Sequence, residues 1–430
     1  MPYRISILAS GIFVFAFTAA FRILGFDDVY RAVFRYWGVD VTFKPYLPFL
    51  DFHIVLAAFQ CQRMGYDVFM ENPCDALGRV FAYSPVWLLA APTGLGPEST
   101  PWFGTAMGIG FICAVAWLSN PQSLRETLIF LLALMSSTCA FAVERANVDL
   151  IMFLLIVVAC AVFRYGGAGR IFAYVTIFLA ALLKFYPITA MGLATQEQKT
   201  RFIVITFTTC LCSIAFIYLA WNELVEMWPN VPQAWVYGDA FGSSNVFEAL
   251  NHWLSKHLPG QDRAIATLMH VAHRAASLAA VALAFALYHR MRKPVVQEIP
   301  LSKETVLFIA AGFIIVFAFF AGQNVAYRGV FLLMLLPYFI CLWRGAPSSN
   351  SHSHLPAAAI AVALVLLWFE FFHVNAPRLI GFDEAGPVIV LLVREPLWWL
   401  FITGVMAQLW VQMSLTPFIG QIPIFRLGGR

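Results

Sequence analysis

Residues 5–20 read ISILASGIFVFAFTAA, and the apolar character runs on to residue 25. A helix needs about 20 such residues to cross a bilayer. Arg4 precedes the run, and Phe21-Arg22-Ile23-Leu24 follows it without a small-residue cleavage site. It therefore reads as a retained first spanning helix and not as a signal peptide.

Further apolar segments follow at 84–97, 101–118, 126–142, 148–164, 170–193, 202–220, 264–288, 304–321, 329–343, 355–374 and 396–413. Segment 84–97 is short for a span. Prolines punctuate the ends or interiors: Pro85, Pro97, Pro101, Pro121, Pro187, Pro294, Pro337 and Pro396. Proline suits a helix start, a helix stop or a kink inside the membrane. Only helices and closed barrels satisfy the backbone in lipid, and a barrel strand alternates apolar and polar residues. Uninterrupted apolar runs exclude the barrel. The expected fold is all-α, a polytopic transmembrane helical bundle of about eleven to twelve spans, forming one domain over 1–430.

Composition agrees. Of 430 residues, 61% are hydrophobic and 12% charged, where a soluble domain carries roughly 25% charged. The mean hydropathy is +0.77. A dispersed net charge of +4 gives no nucleic-acid footprint. Among the eight cysteines, Cys113, Cys139, Cys160, Cys210, Cys212 and Cys341 lie in apolar runs, where a thiol acts as a small hydrophobe. Cys61 and Cys74 share the first loop, where a disulfide is one option if that loop faces an oxidising compartment.

Orientation follows from the basic loops. His289-Arg290-Met291-Arg292-Lys293, with Lys303 beyond, is the most basic connection and is assigned to the cytoplasm. Counting back puts both termini in the cytoplasm and two large loops, 26–83 and 221–263, outside. The same count sends Glu144-Arg145 and Lys184 toward the cytoplasm, which would make Lys184 a poor partner for anything in the first loop. If 84–97 does not span, the sides of residues 100–200 change, and a segment counted once elsewhere must compensate. No internal repeat is visible. Ser348–His354 is a short polar linker whose histidines read as surface residues.

The first outside loop carries the best chemical signal. It reads Pro48-Phe49-Leu50-Asp51-Phe52-His53, then an apolar run to Met64, then Gly65-Tyr66-Asp67-Val68-Phe69. Phe52, Val55, Leu56, Phe59 and Arg63 predict an amphipathic helix lying flat on the membrane surface, with Asp51 at its start as a helix cap, an acid/base group, or both. Asp27 and Asp28, just after the first helix, are the alternative bases and the only candidates for a divalent cation. Glu144, Arg145, Asn147, Asp149 and Lys184 sit in or near apolar runs, where charges serve either function or helix-locking ion pairs. His270, His273 and His373 read as packing residues. The aromatics Trp221, Trp228, Trp235, Tyr237, Trp253 and His252 of the second loop suit either sugar stacking or interface anchoring.

In order along about 1–345, these motifs resemble the C-type integral-membrane glycosyltransferases, most closely the polyprenyl-phosphate-mannose-dependent glycosyltransferase family 87. The family's first-loop aspartate corresponds to Asp51, its Gly-x-Asp/Asn-x-Tyr segment to Gly65–Phe69, and its Tyr-Pro-Pro to Tyr83-Ser84-Pro85. A Gly-Gln-x-Asn motif corresponds to Glu144-Arg145-Ala146-Asn147, a glycine-rich turn to Gly166–Gly169, and Lys-x-x-Pro to Lys184–Pro187. Asn324-Val325-Ala326-Tyr327-Arg328 matches a later Asn-x-x-Tyr-Arg run. The chain departs from the family at Glu144-Arg145 and at Ser84.

The resemblance implies a multi-pass enzyme of a bacterial inner membrane. It would move a sugar, mannose by resemblance, from a polyprenyl-phosphate donor to a glycolipid or glycan acceptor, with lipid as its surroundings. Asp51 would be the base of an inverting displacement. Arg328, with Tyr327, Asn324 and Gln323, would hold the departing phosphate, and Glu144, Arg145, Asn147 and Lys184 would line the substrate site. A lipid-linked substrate transporter or flippase is the competing function, and a structural membrane protein the third.

Overall fold

A computed structural model describes residues 2–39, 47–232, 234, 236–238, 240–291, 301–322, 324–345, 354–380, 389–416 and 418–421. Gln323, Trp235, Arg292, Lys293 and His352 lie outside these. The fold is helical throughout. Among the described residues the only strands are β1 (Ala240–Phe241) and β2 (Asn324–Val325), paired antiparallel with Ala240 opposite Val325. The chain forms two compact units. One comprises Met1–Ile188 with Phe207–Pro232, the other Thr189–Thr206 with Gln233–Arg430.

In the first unit, α1 (Pro2–Ile23) begins with proline at a position whose N–H has no helical partner anyway. It packs against α4 (Thr100–Leu118) and α5 (Leu124–Leu134). The approach is close: a Cβ added at Gly11 would lie 2.7 Å from Ile112 and 3.0 Å from Leu134. Small residues permit such contacts between membrane helices. Helix α5 bends by 47° into α6 (Ser137–Glu144). Ser136 caps the new helix, its hydroxyl accepting from the Cys139 N–H. Next, α7 (Asp149–Phe163) and α8 (Gly167–Leu183) form a hairpin.

Two expectations change here. Segment 84–97 is not a span. It folds as a 3-10 helix, Pro85–Thr93, with Pro92 inside it. Nine residues rising about 2 Å each fall well short of the bilayer core. The run 170–193 is likewise broken: α8 stops at Lys184, whose backbone is extended, and a 3-10 helix follows over Tyr186–Gln196.

The helix α3 (Leu50–Arg63), with α2 (Asp27–Tyr36) before it, also departs from expectation. It does not lie on a surface. Leu50, residues 52–59 and Cys61 are all buried. A helix apolar on nearly every side belongs in a core. The 3-10 helix 85–93 and α4 cover it, and Arg63 ties its end by donating to the carbonyls of Ala91 and Leu95, both at 2.8 Å.

The second unit contains α11 (Asn245–His257), α12 (Asp262–Met291), α13 (Lys303–Ala321), α14 (Leu332–Gly345), α15 (His354–Leu367), α16 (Phe369–Ile380) and α17 (Glu395–Ser414). Ser302 caps α13 by accepting from the Thr305 N–H. The Tyr338 hydroxyl on α14 is held by Gln408 and Gln412 of α17. Helix α9 (Lys199–Leu219) is divided between the two units at Phe207, and the short α10 (Trp221–Met227) belongs to the first.

Six described helices are long and apolar enough to cross a membrane, or eight if each of two bent pairs counts once. The difference from the expected eleven to twelve lies in helices such as α7 and α8. Their 15 and 17 residues span only about 22–26 Å of a core about 30 Å thick.

Candidate active site

The site begins with two strained residues. Phe49 and Ala146 adopt φ of 64° and 44°, in a left-handed region unfavourable to residues with a Cβ. Such strain persists only where the surroundings enforce it. Here two main-chain bonds join the two turns. The Phe49 N–H donates to the Glu144 carbonyl at 2.8 Å, and the Asp51 N–H to the Arg145 carbonyl at 2.9 Å. The Phe49 ring lies so close over Gly104 that an added Cβ would come within 2.2 Å of it. The start of α3 is thereby fixed against the corner between α6 and α7.

Asn147 makes the decisive contact. It is fully buried. Its Nδ2 donates to Asp51 Oδ2 at 2.6 Å, and its Oδ1 accepts from the Asp149 N–H at 2.9 Å. The second bond fixes which way the amide faces, so the first is made by a true donor. Asp149 then bonds Lys184 Nζ at 2.6 Å and accepts from the Tyr186 hydroxyl at 2.8 Å. Tyr83 and Tyr186 flank the Lys184 ammonium, each ring 5.9 Å away.

On the other side stand Asp75 and Arg79. Arg79 grips Asp75 with Nε and Nη2 at 3.0 and 2.9 Å, a bidentate pair. It also donates to the Leu50 carbonyl at 2.8 Å, and its Nη1 lies 3.9 Å from Asp51 Oδ1. Burial would raise the Asp75 pKa. The Arg79 bonds and charge, with two backbone N–H groups, outweigh burial and hold it below the ordinary carboxylate value.

The carboxylates are therefore unequal. The Asp75 and Asp149 side chains are wholly buried, each with a cation within 3 Å. Asp51 is 18% exposed and its nearest cation is 3.9 Å away. It alone of the three pairs partial exposure with a weakly engaged oxygen. It occupies the first turn of α3, one residue past Leu50, so it is not the helix cap expected for it; Phe49 is.

Glu144 pairs with Arg145 at 3.5 Å and accepts from the Tyr30 hydroxyl at 3.4 Å. Burial, then the Glu144 charge, pushes the Tyr30 pKa up. His53 is buried beneath the site. Its Nε2 faces the Ala76 N–H at 3.4 Å, leaving Nδ1 to donate to Thr100 at 3.3 Å. Burial lowers its pKa. Cys61 and Cys74 form a disulfide with Cα atoms 5.7 Å apart, anchoring the segment that carries Asp75 to α3.

Thus Glu144, Arg145, Asn147 and Lys184 join Asp51, and the expectation that Lys184 faces away is corrected. The cause is the absent span at 84–97. Asp75, Arg79 and His53 are site residues that the sequence motifs do not single out. An acid–base pair at i and i+4, Asp75 and Arg79, is the signal that could have found them. Asp27 is engaged by Arg22 and Asp28 by Arg31. No group of three or more metal-ligating side chains is assembled among the described residues.

Arg328, Tyr327 and Asn324 belong to the second unit. Asn324 Oδ1 accepts from Arg328, and its amide nitrogen donates to the Ala318 and Gly322 carbonyls at 2.8 and 2.9 Å. His273 meets the Ser243 hydroxyl at 2.8 Å and His373 meets Glu370 at 3.3 Å. Trp221, Trp228 and Trp253 are exposed.

No family model, curated protein or solved structure matches the chain.

Proposed function

We propose that the chain is a membrane glycosyltransferase of the C type. It moves a sugar, mannose by resemblance, from a polyprenyl-phosphate donor to a glycolipid or glycan acceptor on the extracytoplasmic face. The observation that carries this reading is Asp51: a partly exposed carboxylate, oriented by a buried amide and set 3.9 Å from the Arg79 guanidinium.

In this reading the acceptor hydroxyl gives its proton to Asp51 as its oxygen attacks the anomeric carbon. The bond from that carbon to the phosphate oxygen breaks, and polyprenyl phosphate leaves. One displacement inverts the anomeric centre. Positive charge develops on the sugar ring, and the same carboxylate favours it. Arg79 and Lys184 supply positive potential for the departing phosphate.

The proposed topology has the N-terminus in the cytoplasm. Without a span at 84–97, α4 starts outside, and the turns at Glu144–Asp149 and Lys184 also fall outside, with Asp51. The disulfide at Cys61–Cys74 supports an oxidising location for the first loop.

The test is transfer from radiolabelled polyprenyl-phosphate-mannose to membrane glycolipid by the purified protein in proteoliposomes. Labelled glycolipid with inverted anomeric configuration supports the reading. Silence with this donor and with a panel of other lipid-linked sugars, from folded protein, would sink it and favour the flippase.

A further inference from the structure

The second large loop opens on a helix that the proposed chemistry does not use. Helix α9 ends at Leu219, and α10 starts two residues later at Trp221. The helical backbone of Trp228 carries its path one residue past Met227. Trp221, Val225 and Trp228 fall on one side of this helix, within an arc of about 60° at 3.6 residues per turn. They are 60%, 51% and 74% exposed. Asn222 and Glu226 lie on an adjoining side and are exposed as well. Met227, on a third side, is buried. The helix thus has an apolar side and a polar side, both exposed, and a side turned to the protein.

Two contacts hold this helix beside the Asp51 site. The Phe216 ring, one turn before the end of α9, lies 6.5 Å from the ring of Phe185, the neighbour of Lys184. Beyond α10, the Asn230 amide donates at 3.1 Å to the carbonyl of Phe69, in the same loop as Asp51. Phe69 packs on Phe81 and Phe81 on Tyr83, with ring centroids 5.6 and 5.8 Å apart, and Tyr83 flanks the Lys184 ammonium. The two large loops therefore meet, and residues 221–230 form a strap tied to the first.

What covers the apolar side follows from where the helix starts. Helix α9 is long and apolar enough to cross a membrane, and none of its 21 residues is buried. Tyr218 and Leu219 at its end are exposed, so an exposed apolar surface runs without a break from α9 onto Trp221. A span that meets lipid along its length delivers α10 to the depth of the headgroups. Tryptophan collects at that depth because its ring is apolar and its N–H is polar. Residues 221–230 contain Glu223 and Glu226 and neither lysine nor arginine, so attraction to anionic headgroups is not the cause.

We propose that Trp221, Val225 and Trp228 dock α10 into the headgroup region of the bilayer, which fastens the strap, and the first loop tied to it, to the lipid surface. The proposal requires a membrane-embedded chain and rests neither on sugar transfer nor on Asp51 as its base.

The experiment reads tryptophan fluorescence from the full chain in phosphatidylcholine nanodiscs, with and without bromine on the upper part of the acyl chains. Emission of the double variant Trp221→Phe with Trp228→Phe, subtracted from that of the wild type, isolates the two rings. Brominated lipid should quench this difference by more than half and aqueous iodide much less. Replacing a third of the lipid with phosphatidylglycerol should alter neither result. Val225→Trp adds a ring to the same side and should add a bromine-quenched component, a gain of signal that does not depend on the folding of the double variant. A difference quenched by iodide and untouched by bromine would put the rings in water and overturn the proposal, as would quenching that appears only with anionic lipid. Quenching by neither agent would mean that protein covers this side, and would overturn it equally.

Discussion

Replacing Lys184 with methionine isolates the ion pair that supports the Asp51 site from behind. Asp149 has a wholly buried side chain, and Lys184 Nζ lies 2.6 Å from it. Removing one partner of a buried pair strands the other charge, at about 3–5 kcal/mol. The Tyr186 hydroxyl still donates to Asp149 at 2.8 Å, which places the expected loss near the lower bound, about 3 kcal/mol. Lys184→Met with Asp149→Asn removes both charges and should recover most of that loss, because an uncharged pair of similar size carries no desolvation penalty. The assay is a double-mutant cycle on detergent-solubilised protein, read by chemical unfolding. The coupling should be about 2 kcal/mol or more. A single substitution within about 0.5 kcal/mol of wild type, the size of an ordinary surface change, or a double mutant no better than the worse single, would refute the reasoning.

Three further outcomes follow from the same geometry. Replacing Cys61 and Cys74 with serine should lower stability by about 2–4 kcal/mol, and reducing agent should destabilise the wild type but not this variant. His53 titrates below its ordinary value of about 6.5, so the unfolded chain takes up its proton first as pH falls. Stability should therefore decline from that pH downward until the folded value is passed, and His53→Gln should flatten the melting-temperature profile between pH 7 and 5; an unchanged slope would exclude His53 as the cause. Gly104→Ala should drive the Phe49 ring off its seat, costing about 1–3 kcal/mol and lowering transfer activity through displacement of Asp51; full activity would show that the Phe49 turn does not position the carboxylate.

Much of the fold was legible because long apolar runs leave few alternatives. Residues 5–20, 304–321 and 329–343 each lie within a helix, Pro2–Ile23, Lys303–Ala321 and Ala326–Gly345 respectively. Segment 84–97 misled because hydropathy does not register Pro85 and Pro92, which hold it to a short 3-10 turn. Helix α3 misled for a different reason. Its charged and amide residues suggested a polar face, yet residues 52–59 contain only His53 as a polar side chain, and that pattern means a core.

Asp51 itself was legible as a lone carboxylate near the membrane. Its partner was not. Asn147 is 96 residues away, and nothing local in either segment records that a left-handed Phe49 and a left-handed Ala146 bring them together. The Asp149–Lys184 pair could be read as a candidate because both charges interrupt apolar runs. Its place behind Asp51 depended on the topology that 84–97 obscured.

The central claim is tested most directly by the initial rate of sugar transfer from polyprenyl-phosphate-mannose in proteoliposomes, wild type against Asp51→Asn. The substitution keeps the shape and removes the proton acceptor. General-base catalysis contributes about 10²–10⁴-fold, so the account predicts a loss of at least a hundredfold with donor binding and the melting temperature preserved. Transfer by Asp51→Asn at the wild-type rate would contradict it.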